Sequence, residues 1–407
     1  MQSDDPRQFV SEQAPPKKVG VRSAGLSVVT AVLALLVGIG IFETAMRLTE
    51  YRFLLHKTEF PPGYFQADAE LGADQARNVP PGRFTIRAPA FEAFTNWLGC
   101  FDRDSDISPG YILAIGDSAT WGFVPSDENW THRLQELAGT QVLNCGVTGV
   151  GPKFEAIKAE KVIERIGFPP SLMIVLYIDN DLNDDFVFPS YTVVDGQRLD
   201  RVRAIDLETG RLDKFSNGEL TSRLRDYATQ QESLKTWLKQ NSLTAWMLFS
   251  LRERLAGGDE GAAVRSMTDR YGVDLWNVTV DDHDWLRAAI DDHMNAMVRL
   301  QEVADKYSVP LVVFEDRTED ARPSPHRSEF SETLRTRLRL VHAIEFSEDT
   351  GITSEQIHHR FDDHWNATGN RLVAELMYES LRRDRLLSNV AEVDAGPASS
   401  EHLTMVH

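Results

Sequence analysis

Between Ser23 and Phe42 the chain reads SAGLSVVTAVLALLVGIGIF, 20 residues without a charge. At about 1.5 Å per helical residue this covers the ~30 Å hydrocarbon core of a bilayer. The run is apolar all round, and in lipid its peptide groups must be satisfied within the segment, so a transmembrane helix over 23–42 is expected. Lys17, Lys18 and Arg22 precede it, Glu43 closes it, and Arg47 and Arg52 follow. The near basic flank places the N-terminus in the cytoplasm and the rest of the chain across the membrane. A cleaved signal peptide would have a shorter apolar region ending in a small-x-small site. Here the run continues into Ile41-Phe42-Glu43, so an uncleaved anchor is expected.

The remainder of the 407 residues, in a chain 42% hydrophobic and 26% charged, is enough to bury at least one substantial core. The formal charge of -19 repels phosphate, so no nucleic-acid partner is expected. Only Cys100 and Cys145 are present, which excludes a disulfide framework and a four-cysteine zinc site. One bridge between them stays open, because spacing alone does not fix a Cα separation.

Residues 1–22 read as a short cytoplasmic tail and residues 48–108 as an irregular lead-in punctuated by Pro61, Pro62, Pro80 and Pro81. Alternation of strand and helix then begins. Tyr111–Ile115 is a short apolar run bounded by Pro109-Gly110 and Gly116, as a buried strand would be. A helix is expected over about 128–137 and a second strand over 141–143. A helix framed by Pro152 and Gly167 comes next, then a strand over 172–178.

After an interruption, Leu286, Ile290, Met294, Met297, Leu300 and Ala304 share one helical face, 309–314 reads as a strand, and a final helix carries Leu372, Val373, Leu376 and Leu381. Such alternation predicts an α/β domain over 109–386 with a parallel sheet covered on both faces. The interruption, about 186–284, reads as an insertion. It has strand-like pieces at 191–194 and 201–205 about an Asp195-Gly196 turn, then a long helical run over 220–255 whose LTAWMLFSL segment is read as buried core rather than a lid. Residues 387–407 read as a loose polar tail.

Gly116-Asp117-Ser118 directly follows the first core strand, and open α/β sheets place ligands at strand C-terminal ends. A serine hydroxyl needs a base to take its proton as it attacks, and histidine titrates nearest neutrality. Asp362-Asp363-His364-Trp365-Asn366, just before the final helix, offers an imidazole with a carboxylate two residues upstream. Asp362 is the expected acid, with Asp363 second. Charge developing on a substrate oxygen needs preorganised donors. The backbone N–H groups of Ser118 and Gly146 and the Asn180 carboxamide, all at strand ends, are the expected set. Asp117 and Asn144 are expected to brace the neighbouring backbone.

Ser118, Gly146, Asn180 and His364 thus occur in the order that names the SGNH, or GDSL-type, hydrolases, and the chain resembles that family over about residues 108–386 outside the insertion. GDSATWGFVPSDENW is similar to its nucleophile block, NCGVTGVG to its glycine block, DNDLND to its asparagine block and DDHWNATGNRLVAEL to its histidine block. The resemblance implies a flavodoxin-like three-layer α/β/α domain and acyl-ester chemistry, often on carbohydrate O-acetyl groups or lipid esters. Two departures stand out. Ile178 replaces the glycine expected before Asn180, leaving Asn183-Asp184 as an alternative, and Phe361 stands where the family acid usually is. The D-x-H-W spelling instead resembles membrane-associated polysaccharide O-acetyltransferases of the alginate type.

The expectation is a serine esterase of a bacterial inner membrane, single-pass, with its catalytic domain periplasmic or extracellular. The expected substrate is an acyl ester, acetyl or short-chain, with acetylated glycan a candidate. Two alternatives stay open: a polysaccharide O-acetyltransferase using the same triad, which would need a donor-supplying membrane protein, and a non-catalytic envelope scaffold or glycan-binding module. No cofactor or metal is expected: His358-His359, and His283 among Asp281, Asp282 and Asp284, read as solvated surface. Trp121 and Trp365 read equally as site packing or as sugar-stacking platforms. The sequons at Asn129, Asn277 and Asn366 read as incidental.

Overall fold

The computed structural model describes residues 21–103, 106–230, 234–255, 274–278, 283–317, 325–346 and 352–387. Apart from Val21, Arg22 and Leu387, the two expected tails lie outside these residues, as do Asp281 and Asp282.

Helix α1, Val21–Arg47, contains the uncharged run, and its large apolar side chains from Val28 to Phe42 are exposed. It is long and apolar enough to cross a membrane.

The core is a five-stranded parallel sheet of β1 (Ile112–Gly116), β2 (Val142–Asn144), β3 (Leu172–Tyr177), β4 (Leu311–Asp316) and β5 (Val341–Ile344). Its spatial order is 2-1-3-4-5, the flavodoxin-like arrangement with a switch point beside β1. Four strands fall where the apolar runs predict them, within two residues at either end. The fifth, VHAI, is only four residues long and is interrupted by His342, so it does not stand out in the sequence.

Successive side chains on a strand face opposite layers. Leu113, Ile115, Met173, Val175, Leu311 and Val313 pack on one side with α3 (Pro152–Ile166), α4 (Asp284–Lys306) and α5 (Pro325–Arg337). Ile112, Ala114, Leu172, Ile174, Leu176, Val312 and Phe314 pack on the other with α2 (Trp130–Ala138) and α6 (Ala367–Arg383). Both strand faces are therefore buried, which explains the unbroken apolar runs. Each fully buried Leu, Ile or Phe contributes about 1.5–3 kcal/mol relative to exposure.

Two regions differ from expectation. The lead-in carries two antiparallel hairpins, 65–68 with 72–75 and 82–86 with 88–93. Phe84 and Phe91 close around Trp121 with Phe101 and Phe123, and Trp121 Nε1 donates to Tyr64 Oη at 2.8 Å. Trp121 is fully buried there, and Trp365 is nearly so, so neither presents a face for stacking on sugar.

In the insertion, the Asp195-Gly196 turn joins 191–194 to 197–200, while 202–205 pairs with 212–214. The long helical run divides into helices 217–230, 234–241 and 243–255. The LTAWMLFSL segment buries Leu243 but exposes Met247, Leu248 and Leu251, so it is not core. Its apolar residues surround a short helix rather than forming one stripe, and among the described residues no layer covers Met247, Leu248 and Leu251.

Candidate active site

Ser118 opens a four-residue helix, Ser118–Trp121, immediately after β1. The turn into it is specified sterically. Gly116 has φ 157°, and a Cβ there would meet Thr120 Oγ1 at 2.1 Å. From the end of β2, Gly146 backs the same turn so closely that a Cβ would lie 2.4 Å from the Trp121 nitrogen and 2.7 Å from the Thr120 carbonyl carbon. The glycine thus lets two strand-end loops touch. Cys145 beside it is disulfide-bonded to Cys100, Cα–Cα 4.4 Å, which ties this loop to the segment before β1.

His364 lies on the short strand Asp362–Trp365, paired with His358–His359. Asn366 caps α6 just beyond, accepting from the Thr368 and Gly369 nitrogens, while Asn129 caps α2 in the same way. Two of the three sequons therefore serve as helix caps.

Although 246 residues apart in sequence, Ser118 Oγ and His364 Nε2 are 3.1 Å apart. His364 Nδ1 is hydrogen-bonded directly to Asp362 Oδ1, and Asp363 Oδ1 lies 3.6 Å from the same nitrogen. The imidazole packs against Phe123, tilted by 33° with centroids 3.7 Å apart, and its side chain is 11% exposed.

Burial works against the imidazolium, but the Asp362 carboxylate, helped by Asp363 and Asp117, outweighs it and pushes His364 up to about 9. Burial likewise opposes the Asp362 charge. The facing His364 charge wins, holding Asp362 below the usual carboxylate range.

The proton bookkeeping is coherent. Ser118 Oγ donates to Asp117 Oδ2 at 2.9 Å, so a protonated His364 uses Nδ1–H on Asp362 and Nε2–H on the serine oxygen. Once Nε2 loses its proton, the hydroxyl can turn to donate to it, which prepares the serine for attack.

The other strand-end groups converge here too. Asp117 is fully buried and accepts from the Ala119 nitrogen at 2.8 Å and from Asn180 Nδ2 at 3.4 Å; burial pushes its carboxyl up. Asn180 Nδ2 also reaches Asp184 Oδ2 at 3.3 Å. Gly146 donates its N–H to Asn144 Oδ1 at 3.1 Å, and Asn144 Nδ2 donates to the Trp121 carbonyl at 3.2 Å. All the donors expected to face an oxyanion thus lie around the nucleophile turn. In this arrangement the Gly146 and Asn180 donors are occupied by Asn144, Asp117 and Asp184.

Behind them lies a set of acidic groups that sequence reasoning missed. Glu155 on α3 is buried with no hydrogen-bond partner for either oxygen among the described residues, and one Asp181 oxygen is likewise unpartnered among them. Burial, reinforced by neighbouring carboxylates, pushes both well above the usual range. Glu155 shares a helical face with Ala159 and Val162, a spacing that marks it as buried. Asp185 is held by His293 Nδ1 at 2.7 Å.

A cavity of about 580 Å³ opens beside His364, with His56, Arg87, Thr148 and Arg198 among its lining. A larger one of about 1050 Å³ continues from Asp362 past Tyr51, Phe91, Pro125 and His359. The lead-in and the inserted hairpin therefore contribute groove walls, which no local motif in either segment reveals. Arg198 is fixed by bonds to Thr148 at 2.7 and 2.8 Å and by the Phe65 and Tyr191 rings, each 4.0 Å away.

Asp362, Asp363 and His364 place one ligand atom each within 4.8 Å of one another, the single such group among the described residues. His358 and His359 are not the solvated surface expected: His358 is buried and hydrogen-bonded to Ser354, half-buried His359 is bonded to the Phe123 carbonyl, and burial lowers the pKa of both.

No protein-family profile and no curated protein matches this chain. Among solved structures it is similar to a protein described as lipolytic and of the G-D-S-L family from Desulfitobacterium hafniense DCB-2: 10% identity, TM-score 0.33, 66% of this chain and 98% of that one. It is also similar to an acetyl xylan esterase from the rumen bacterium Butyrivibrio proteoclasticus, with 10% identity, TM-score 0.35, and 74% and 70% covered. A third is LAE5, an alpha/beta hydrolase enzyme from the metagenome of Lake Arreo, Spain, with 13% identity, TM-score 0.25, and 70% and 99% covered.

Proposed function

We propose that this protein is a membrane-anchored serine esterase of the SGNH kind that removes acetyl or other short acyl groups from cell-envelope carbohydrate outside the cytoplasm. The observation that carries the reading is Ser118 Oγ at 3.1 Å from His364 Nε2, with Nδ1 of the same ring held by Asp362. Ser118 attacks the ester carbonyl while His364 takes its proton and returns it to the leaving alcohol. The Ser118 and Gly146 N–H groups and the Asn180 carboxamide receive the oxyanion once Asn144, Asp117 and Asp184 release them. Water then attacks the acyl-serine, freeing the acid and restoring the hydroxyl.

The D-x-H-W spelling keeps a second reading alive, in which a sugar hydroxyl replaces water and a separate membrane protein supplies the acyl donor. The test uses detergent-purified full-length chain and its Ser118→Ala variant, each given a short-chain acetyl ester with and without oligosaccharide acceptors. Ser118-dependent acetate release supports the esterase, whereas acetylated sugar selects the transferase. Undiminished turnover in the variant removes Ser118 from the mechanism. Failure of folded wild-type chain to react with a serine-directed phosphonate would favour a scaffold that kept the fold without the chemistry.

A further inference from the structure

The insertion is fastened to α1 at the point where the uncharged run ends. The Glu43 carboxylate accepts from the Leu243 nitrogen at 3.1 Å, from the Thr244 nitrogen and hydroxyl at 2.9 Å each, and from the Ser242 hydroxyl at 3.1 Å, capping helix 243–255. Arg47 bonds Glu43 at 2.8 Å and also donates to the Asn241 carbonyl. Glu43 directly follows Phe42, the last residue of the apolar run. Whatever surface α1 crosses, helix 234–241 ends and helix 243–255 begins beside its exit.

The same helix pair carries most of the exposed large apolar side chains among the described residues of the insertion. Leu234 is 71% exposed and Leu248 62%, with Trp237, Met247 and Leu251 also exposed, while Leu243, whose nitrogen bonds Glu43, is buried. The charge pattern is equally unusual for this chain. From Leu234 to Arg252 there is no acidic residue, but there are Lys235, Lys239 and Arg252, in a protein of formal charge -19. Apolar side chains and a tryptophan accompanied by long cations suit the boundary between acyl chains and anionic headgroups.

We propose that helices 234–241 and 243–255 form a second membrane contact, lying in the headgroup layer of the leaflet from which α1 emerges. This rests on α1 being a membrane anchor. Lipid is the favoured occupant because the patch continues from the exposed surface of α1, and because its cations match an anionic headgroup layer that the rest of the chain would repel. A consequence follows for the enzyme. The turn at 50–55, three residues beyond α1, supplies Tyr51 and Phe53 to the groove that reaches Asp362. Two membrane contacts would hold that groove close to the bilayer, where esters carried at the envelope surface can enter it.

The test uses the full chain in vesicles of phosphatidylcholine and phosphatidylglycerol. Both native cysteines are bonded, so an introduced one is a unique thiol for an environment-sensitive fluorophore. Labels go on Leu248→Cys and Leu251→Cys, on Leu36→Cys within α1, and on Leu137→Cys, exposed on α2. Spin-labelled lipid and an aqueous nickel chelate serve as quenchers. The expected result is lipid quenching at 36, 248 and 251, with several-fold protection of these sites from nickel relative to 137. Nickel quenching at 248 and 251 equal to that at 137, with 36 still in lipid, overturns the second contact alone. Shielding of 248 from both quenchers overturns it in favour of a protein partner or second copy, and an aqueous 36 removes the anchor and the proposal together.

Discussion

Replacing Asp362 by Asn should produce a defect that grows with pH. The carboxylate on Nδ1 is the principal group raising His364 from 6.5 to about 9, against the effect of burial. At about 1.4 kcal/mol per pH unit, that rise corresponds to about 3 kcal/mol of extra stabilisation of the imidazolium, on the order of a 100-fold effect. Below pH 7 both the resting site and the transition state contain an imidazolium, so this stabilisation largely cancels. Above pH 9 the resting ring is neutral and only the transition state gains from Asp362. Full-length wild type and Asp362→Asn, assayed on a chromogenic acetate ester from pH 6 to 10, should differ by about 100-fold more in kcat/KM at the alkaline end than at the acid end. The wild-type profile should rise towards a midpoint near 9, and the variant midpoint should fall to 6.5 or below. A wild-type to variant ratio that is the same at both ends, or an unmoved midpoint, would refute the claim that Asp362 acts through charge.

Three further outcomes are expected. Gly146→Ala puts a Cβ against backbone atoms of the nucleophile turn, so thermal melting should show a loss of about 2 kcal/mol or more, with turnover falling at least as far; an unchanged melt would contradict the close packing. Glu155 has a folded-state pKa well above 4.5, so its contribution is fully present below pH 4.5 and lost as pH rises through the folded value. Glu155→Gln should therefore melt progressively higher than wild type between pH 5 and 9, and parallel curves would count against it. Replacing Cys100 and Cys145 by Ser opens a 45-residue link and should lower the denaturation free energy by about 4 kcal/mol on loop-closure grounds. Urea titrations of the oxidised wild type and the double variant provide the comparison.

The sequence by itself determined what depends on neighbours along the chain. Its apolar run makes α1, and its apolar runs at 111–115, 172–178 and 309–314 make strands buried on both faces. Gly116-Asp117-Ser118 stands at the end of the first core strand and Asp362-x-His364 shortly before the last helix, and those spellings supplied the candidate nucleophile, base and acid. Tertiary structure decided what depends on residues far apart. It closed the 3.1 Å contact between Ser118 and His364, and it placed Asn144 and Asp117 on the donors proposed for an oxyanion. It also buried Glu155 without a hydrogen-bond partner among the described residues and paired strands inside a lead-in that reads as irregular.

The apolar segment at 243–251 shows the division most clearly. Composition established that its side chains avoid water, but only the Glu43 contact places them at the outlet of α1 rather than in the core. Hydrophobicity is a property of a segment. The surface that covers it is a property of the whole fold, because burial is non-directional and takes whichever apolar neighbour the chain's path brings within reach.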